Sequence, residues 1–261
     1  MIFDTHAHYD SNAFNSDRDE LLKRLHEEEN VGWILDPGCD LESSRKAMEI
    51  AGRHDFVCFA AGWHPEDRET LTEERFAEML RLLDHPKCVA IGEIGLDYYW
   101  DSDHKEEQKE LLHRQLQEAV ARGLPVIIHD REAHGDCLDI VSGFRGRGLK
   151  GVFHSFSGSP ETARELIKLG FYISFSGVIT FKNAVKPVEV LKILPEDRIL
   201  AETDCPYLAP VPFRGKLNDS RLMRHSVAKI AEIRGTGFDE MVRITERNAV
   251  SLFEKCTVLN P

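Results

Sequence analysis

A single-domain α/β fold of the (β/α)8 TIM-barrel type is predicted by three features of the sequence. Eight short apolar runs recur along the chain, amphipathic charged stretches alternate with them, and the chain is 261 residues long. Parallel strands need long crossovers, which helices wrapped around a closed sheet supply. Such barrels take about 250 residues, so one domain over residues 1–261 accounts for the chain.

In order, the runs that read as strands are Ile2–His6, Val31–Asp36, Phe56–Gly62, Val89–Glu93, Val126–His129, Val152–His154, Tyr172–Phe175 and Ile199–Thr203. Between the fourth and fifth, Leu112, Leu116, Ala119 and Val120 share one face of a helix. Gly123 stops that helix before Leu124 and Pro125 open the next strand. Ser159, Pro160 and Glu161 start another: the hydroxyl caps, the proline suits the first turn, and the carboxylate faces the positive end of the helix dipole. The Arg- and Gly-rich stretch from Ser142 to Gly151 runs from a helix end to a strand start. It therefore reads as a structural loop on the face opposite the catalytic rim.

Composition narrows the classes. An apolar fraction of 42% with 30% charged residues is that of a globular protein. No apolar run approaches the roughly 20 residues of a membrane helix, and the N-terminus passes directly into polar residues, so a soluble, cytoplasmic protein is expected. The six cysteines lie scattered with no CxxC pair, which predicts free buried thiols. A formal net charge of −12 argues against a long basic groove for duplex nucleic acid but leaves room for a small phosphate site.

The chemistry concentrates at the C-terminal ends of the strands, where barrels of this kind carry their active sites. His6, Glu93, His129, His154 and Asp204 all fall there. His6 and His8 are two apart, so in extended backbone both imidazoles point to one side. Four imidazoles and two carboxylates exceed the needs of one tetrahedral ion and predict two divalent cations, Mg, Mn or Zn. Glu93 and Asp204 are the candidate catalytic carboxylates, with Glu93 able to bridge both ions and Asp204 able to take a proton. Counted over these ligands, two such ions leave a local excess of about +2, enough to hold a phosphate diester. His64 ends the third strand as a candidate hydrogen-bond donor to substrate. Arg214 and Lys216, with Lys182 and Asn183, are candidate phosphate contacts, and Tyr98, Tyr99 and Trp100 are candidates for stacking on unpaired bases.

The motif series Asp4-Thr5-His6-Ala7-His8, Gly62-Trp63-His64-Pro65, Ile91-Gly92-Glu93-Ile94-Gly95-Leu96-Asp97-Tyr98, Val126-Ile127-Ile128-His129, His154-Ser155-Phe156-Ser157-Gly158, Glu202-Thr203-Asp204 and Arg214-Gly215-Lys216 resembles the TatD family of metal-dependent deoxyribonucleases, in the family's order and across nearly the whole chain. The resemblance implies that His6, His8 and Asp204 hold one metal and His129 and His154 the other, with Glu93 bridging and His64 beside the substrate. It implies a two-metal hydrolase of DNA phosphodiesters, acting on single strands as a 3′–5′ exonuclease. Another ester or amide hydrolase on the same scaffold, acting on a lactone, phosphoester or aminoacyl-RNA linkage, is the alternative. Two positions depart from the family pattern: Asp130 follows His129 where a small or neutral residue is expected, and Asn218-Asp219-Ser220 replaces Asn-Glu-Pro.

Overall fold

The computed structural model describes Met1–Val258. Its eight strands are β1 (Ile2–Asp4), β2 (Val31–Pro37), β3 (Val57–Ala61), β4 (Cys88–Asp97), β5 (Val126–Arg131), β6 (Gly151–Phe153), β7 (Tyr172–Phe175) and β8 (Ile199–Ala201). Each pairs in parallel with the next in sequence. The ring closes where the Thr5 N–H and hydroxyl donate to the Ala201 carbonyl, the Asp204 N–H to His6, and the His8 N–H to Cys205. This is the predicted (β/α)8 barrel. Its helices are α1 (Arg18–Glu28), α2 (Leu41–Arg53), α3 (Glu73–Leu82), α4 (Lys105–Arg122), α5 (His134–Ser142), α6 (Pro160–Lys168), α7 (Val185–Ile193), α8 (Met223–Arg234), α9 (Phe238–Leu252) and α10 (Glu254–Val258). No helix among the described residues is long and apolar enough to cross a membrane.

Local signals act as expected. Gly123 closes α4 in the left-handed conformation (φ 65°), and the Ser159 hydroxyl caps α6 by accepting from the Thr162 N–H. Strand alternation builds two apolar layers. Ile34, Phe59, Ile91, Ile128 and Phe153 face the helices, while their neighbours Leu35, Ala60, Ala90, Ile127 and Val152 fill the barrel interior. Leu252, Phe253 and Cys256 of the C-terminal segment join that interior cluster.

Two expectations change. Cys58 of β3 and Cys256 of α10 form a disulfide across 198 residues, so the prediction of free thiols throughout is corrected; Cys39, Cys88, Cys137 and Cys205 are free. Nothing in the spacing marks that pair, because folding alone brings α10 under β3. Strand β4 also runs four residues beyond Glu93. The predicted run ends at Glu93, but at Gly95 (φ 154°) the bare backbone presses against β5 and the strand goes on. A Cβ there would lie 1.9 Å from the His129 carbonyl oxygen. Pairing of Leu96 with Asp130 and of Asp97 with Arg131 follows from that approach.

Candidate metal centre

The inward-facing parity of the strands carries the site residues. His129 follows Ile127, His154 follows Val152 and Glu202 follows Leu200, so polar side chains crown the columns whose lower members are apolar. From the facing side, Asp204 takes a left-handed backbone (φ 57°) that turns the chain out of β8. Its N–H bonds to the His6 carbonyl, fixing the two rims together.

Six predicted residues converge. Nε2 of His6 lies 3.0 Å from Nε2 of His8 and 3.2 Å from Glu93 Oε2, and Asp204 Oδ1 stands 3.7 Å and 3.6 Å from the two imidazoles. Around the other oxygen, Glu93 Oε1 lies 2.9 Å from His129 Nδ1 and 2.9 Å from His154 Nε2, which are 3.3 Å apart. A tetrahedral ion bonded at about 2.1 Å separates its donors by about 3.4 Å. Both groups match that spacing, with an aromatic stack of His6 on His154 (centroids 4.0 Å, 11°) between them. The donor sets therefore fit divalent cations.

Outer partners select which nitrogen faces inward. Asp97 Oδ2 lies 2.9 Å from His129 Nε2, leaving Nδ1 toward Glu93. Glu202 Oε1 lies 3.3 Å from His154 Nδ1 and accepts the Ser155 N–H, and Asp10 Oδ1 lies 3.8 Å from His8 Nδ1. Asp36, fully buried near Asp10, has neither oxygen hydrogen-bonded among the described residues. Burial works to raise Glu93, but the imidazoles of His154 and His6 outweigh it and hold this carboxylate well below its ordinary range. Asp204 is pushed up by burial. Sequence reading missed Asp97, Glu202 and Asp10 as partners. Glu202 alone had a positional signal, being two residues from Asp204 at a strand end.

His64 sits beside this centre, with Nε2 3.6 Å from Glu93 Oε1. Its Nδ1 accepts the Glu66 N–H, which leaves the proton on Nε2 and makes that atom a donor. Burial, followed by the neighbouring His129, lowers His64 to about 3, so the ring is neutral.

The family model for TatD-related DNase matches residues 3–254. The chain belongs to the TatD family. It is a metal-dependent hydrolase. An uncharacterized metal-dependent hydrolase of Bacillus subtilis, YabD, is 44% identical over 97% of this chain and 99% of its own length. A protein of Cronobacter turicensis named 3′-5′ ssDNA/RNA exonuclease TatD is 33% identical over 97% and 98%. The crystal structure of the TatD homologue YJJV from Escherichia coli K12 superposes with a TM-score of 0.91 at 31% identity, over 97% of this chain and 98% of that one.

Against this TatD-family centre the remaining candidates fall as follows. A cavity of about 1140 Å³ opens over the candidate ligands, and His64, Trp100 and Arg131 line it. Arg214 and Lys216 are exposed on the loop after β8, outside that lining; the Arg214 guanidinium stacks 4.2 Å over Phe181, next to Lys182. Tyr98 is tied down, its hydroxyl donating to Asp136 and the Lys105 ammonium over its ring. Asp130 turns to His134 Nδ1 (2.8 Å) and not to Arg131. The Asn218-Asp219-Ser220 departure anchors the loop: the Asn218 amide donates to the Thr203 and Tyr207 carbonyls, and the Ser220 hydroxyl donates to Asp4.

The charge count needs revision at the scale of the cavity. Eight carboxylates line it against the side chains of Lys46 and Arg131. Four positive charges from two divalent ions would leave the lining acidic, so the expected excess of about +2 holds for the six candidate ligands alone.

Proposed function

We propose that this hydrolase holds two divalent cations, one at His6, His8 and Asp204 and one at His129 and His154, and cleaves phosphodiester bonds of single-stranded DNA from the 3′ end. The observation that carries the reading is Glu93, whose two oxygens each face a different pair of imidazoles. Imidazole-rich sets favour zinc over magnesium. When bound, the two ions supply Lewis acidity toward the phosphate.

The chain's own groups do the rest. Glu93 sets the spacing of the two cation positions. Asp204 Oδ1, raised by burial, orients the attacking water and accepts its proton. The neutral His64 offers its Nε2–H to a phosphate or leaving oxygen. Arg214, Lys216 and Lys182 hold phosphates farther along the strand. The name of the relative from Cronobacter turicensis supports a single-stranded substrate.

The acidic lining favours a substrate presenting few phosphates at once, which suits a strand end and also suits the second reading, a carbonyl ester or amide. Hydrolysis of single-stranded DNA, duplex DNA, a lactone and an aminoacyl ester at matched metal loading separates them. Preference for the single strand supports the nuclease. Turnover of a carbonyl substrate alone overturns it.

A further inference from the structure

The mouth of the cavity is chemically divided. Asp40, Glu42 and Asp67 stand over β2 and β3, whereas Trp100, Arg131 and Asp130, the last turned to His134, stand over β4 and β5, with the Glu66 carboxylate within 4.8 Å of Asp97 and His129 between the two sides. Lys46, the other cation of the lining, has its ammonium on the side-chain oxygens of Asn12 and Asn15 (3.1 and 3.4 Å). Arg131 has no ion-pair partner among the described residues. Its guanidinium lies 4.1 Å from the Tyr99 ring centroid and 5.4 Å from that of Trp100.

Tyr99 and Trp100 are 51% and 63% exposed, their rings edge to face with centroids 4.8 Å apart. Aromatic surface left in water at a cavity rim has no stabilising reason of its own. The backbone that carries the pair is nonetheless fixed: the Tyr99 and Trp100 N–H groups both donate to Asp97 Oδ1 (3.0 and 2.9 Å). The other oxygen of that carboxylate faces His129. One side chain thus ties the aromatic turn to the metal centre.

We propose that Tyr99, Trp100 and Arg131 form a subsite for an unpaired nucleobase of the strand whose phosphodiester lies at the metal centre; this rests on the nuclease reading above. Exposed rings and a planar guanidinium present the stacking faces that bases use, and the positive charge favours the adjacent phosphate. A duplex hides the faces of its bases, so this platform selects single strands. Carboxylates over β2 and β3 repel phosphate on their side, so the terminal nucleotide lies toward the β4–β5 rim.

The test compares two short single strands of equal phosphate number, closed by a non-hydrolysable methylenephosphonate linkage, one with a normal terminal nucleotide and one abasic there. Binding to the metal-loaded protein is followed by the anisotropy of a fluorophore on the far end of each strand, and stacking by tryptophan emission. Trp63 is fully buried and Trp33 packs on Phe3, so Trp100 is the tryptophan that a base can reach. The base-bearing strand should bind roughly 5- to 100-fold more tightly than the abasic one and quench the emission. Trp100→Ala should remove the quenching and most of the preference. Arg131→Lys, which keeps the charge but not the plane, should reduce the preference. Equal binding of both strands by the parent, or an undiminished preference in Trp100→Ala, overturns the subsite and leaves the nuclease reading standing. Binding of neither strand overturns the nuclease reading and the subsite with it.

Discussion

Asp97 faces His129: its Oδ2 lies 2.9 Å from Nε2 of that imidazole and accepts the N–H there, so Nδ1, 2.9 Å from Glu93 Oε1, is the nitrogen left to take a cation in place of its own proton. The fully buried carboxylate thereby chooses the tautomer that can bind a cation. Asp97→Asn should weaken the cation held by His129 and His154 by roughly 10- to 100-fold, leaving the His6, His8 and Asp204 position near its parental affinity. Competition titration with a metallochromic chelator reads both steps, and equal loss at the two positions would contradict this assignment.

Asp4 gives a pH dependence of stability. It is fully buried, accepts from the Thr203 N–H and hydroxyl and from the Ser220 hydroxyl, and is raised by burial from 3.8 to about 7. The folded chain thus keeps a proton that the unfolded chain releases between those values. Asp4's contribution to stability is greatest at the acid end, falls as pH rises through the window, and levels off above it. Denaturant unfolding of the parent and of Asp4→Asn should show the parent's relative stability declining from pH 5 to pH 8. A difference that is flat or rises would mean that its hydrogen-bond donors, the His6 N–H among them, keep Asp4 ionised.

The Cys58–Cys256 bridge closes a loop of 198 residues. By the chain-entropy argument a loop of that length contributes on the order of 5 kcal/mol. It also fastens α10, which with Leu252 and Phe253 covers the apolar interior of the barrel. Reduction, or Cys256→Ala, should lower the unfolding midpoint substantially without moving the metal centre at the other end of the strands. Unfolding with and without reductant measures this; a midpoint indifferent to reductant would contradict it.

Most of the barrel, and the strand ends at which the six candidate ligands converge, were legible in the sequence, for a physical reason. An imidazole or carboxylate ending an apolar run cannot belong to the core below it, so its place in the run also gives its height in the barrel. What stayed illegible depends on close approach in three dimensions. Strand β4 continues past Gly95 because the bare backbone meets His129, and Asp97 reaches the site only through that extension. Cys256 reaches Cys58 only after α10 folds beneath the barrel. Half of the cavity's carboxylates, Asp40, Glu42, Glu66 and Asp67, belong to loops far apart in sequence from the candidate ligands they flank.

Metal reconstitution tests the central claim most directly. The purified protein is stripped with chelator and titrated with zinc or manganese, while bound metal per chain and cleavage of single-stranded DNA are followed together. Cleavage should appear as the second equivalent binds. Glu93→Ala should bind at most one ion tightly and lose at least about 100-fold in rate. Full activity at one equivalent, or two tightly bound ions in Glu93→Ala, would contradict a two-cation centre bridged by Glu93.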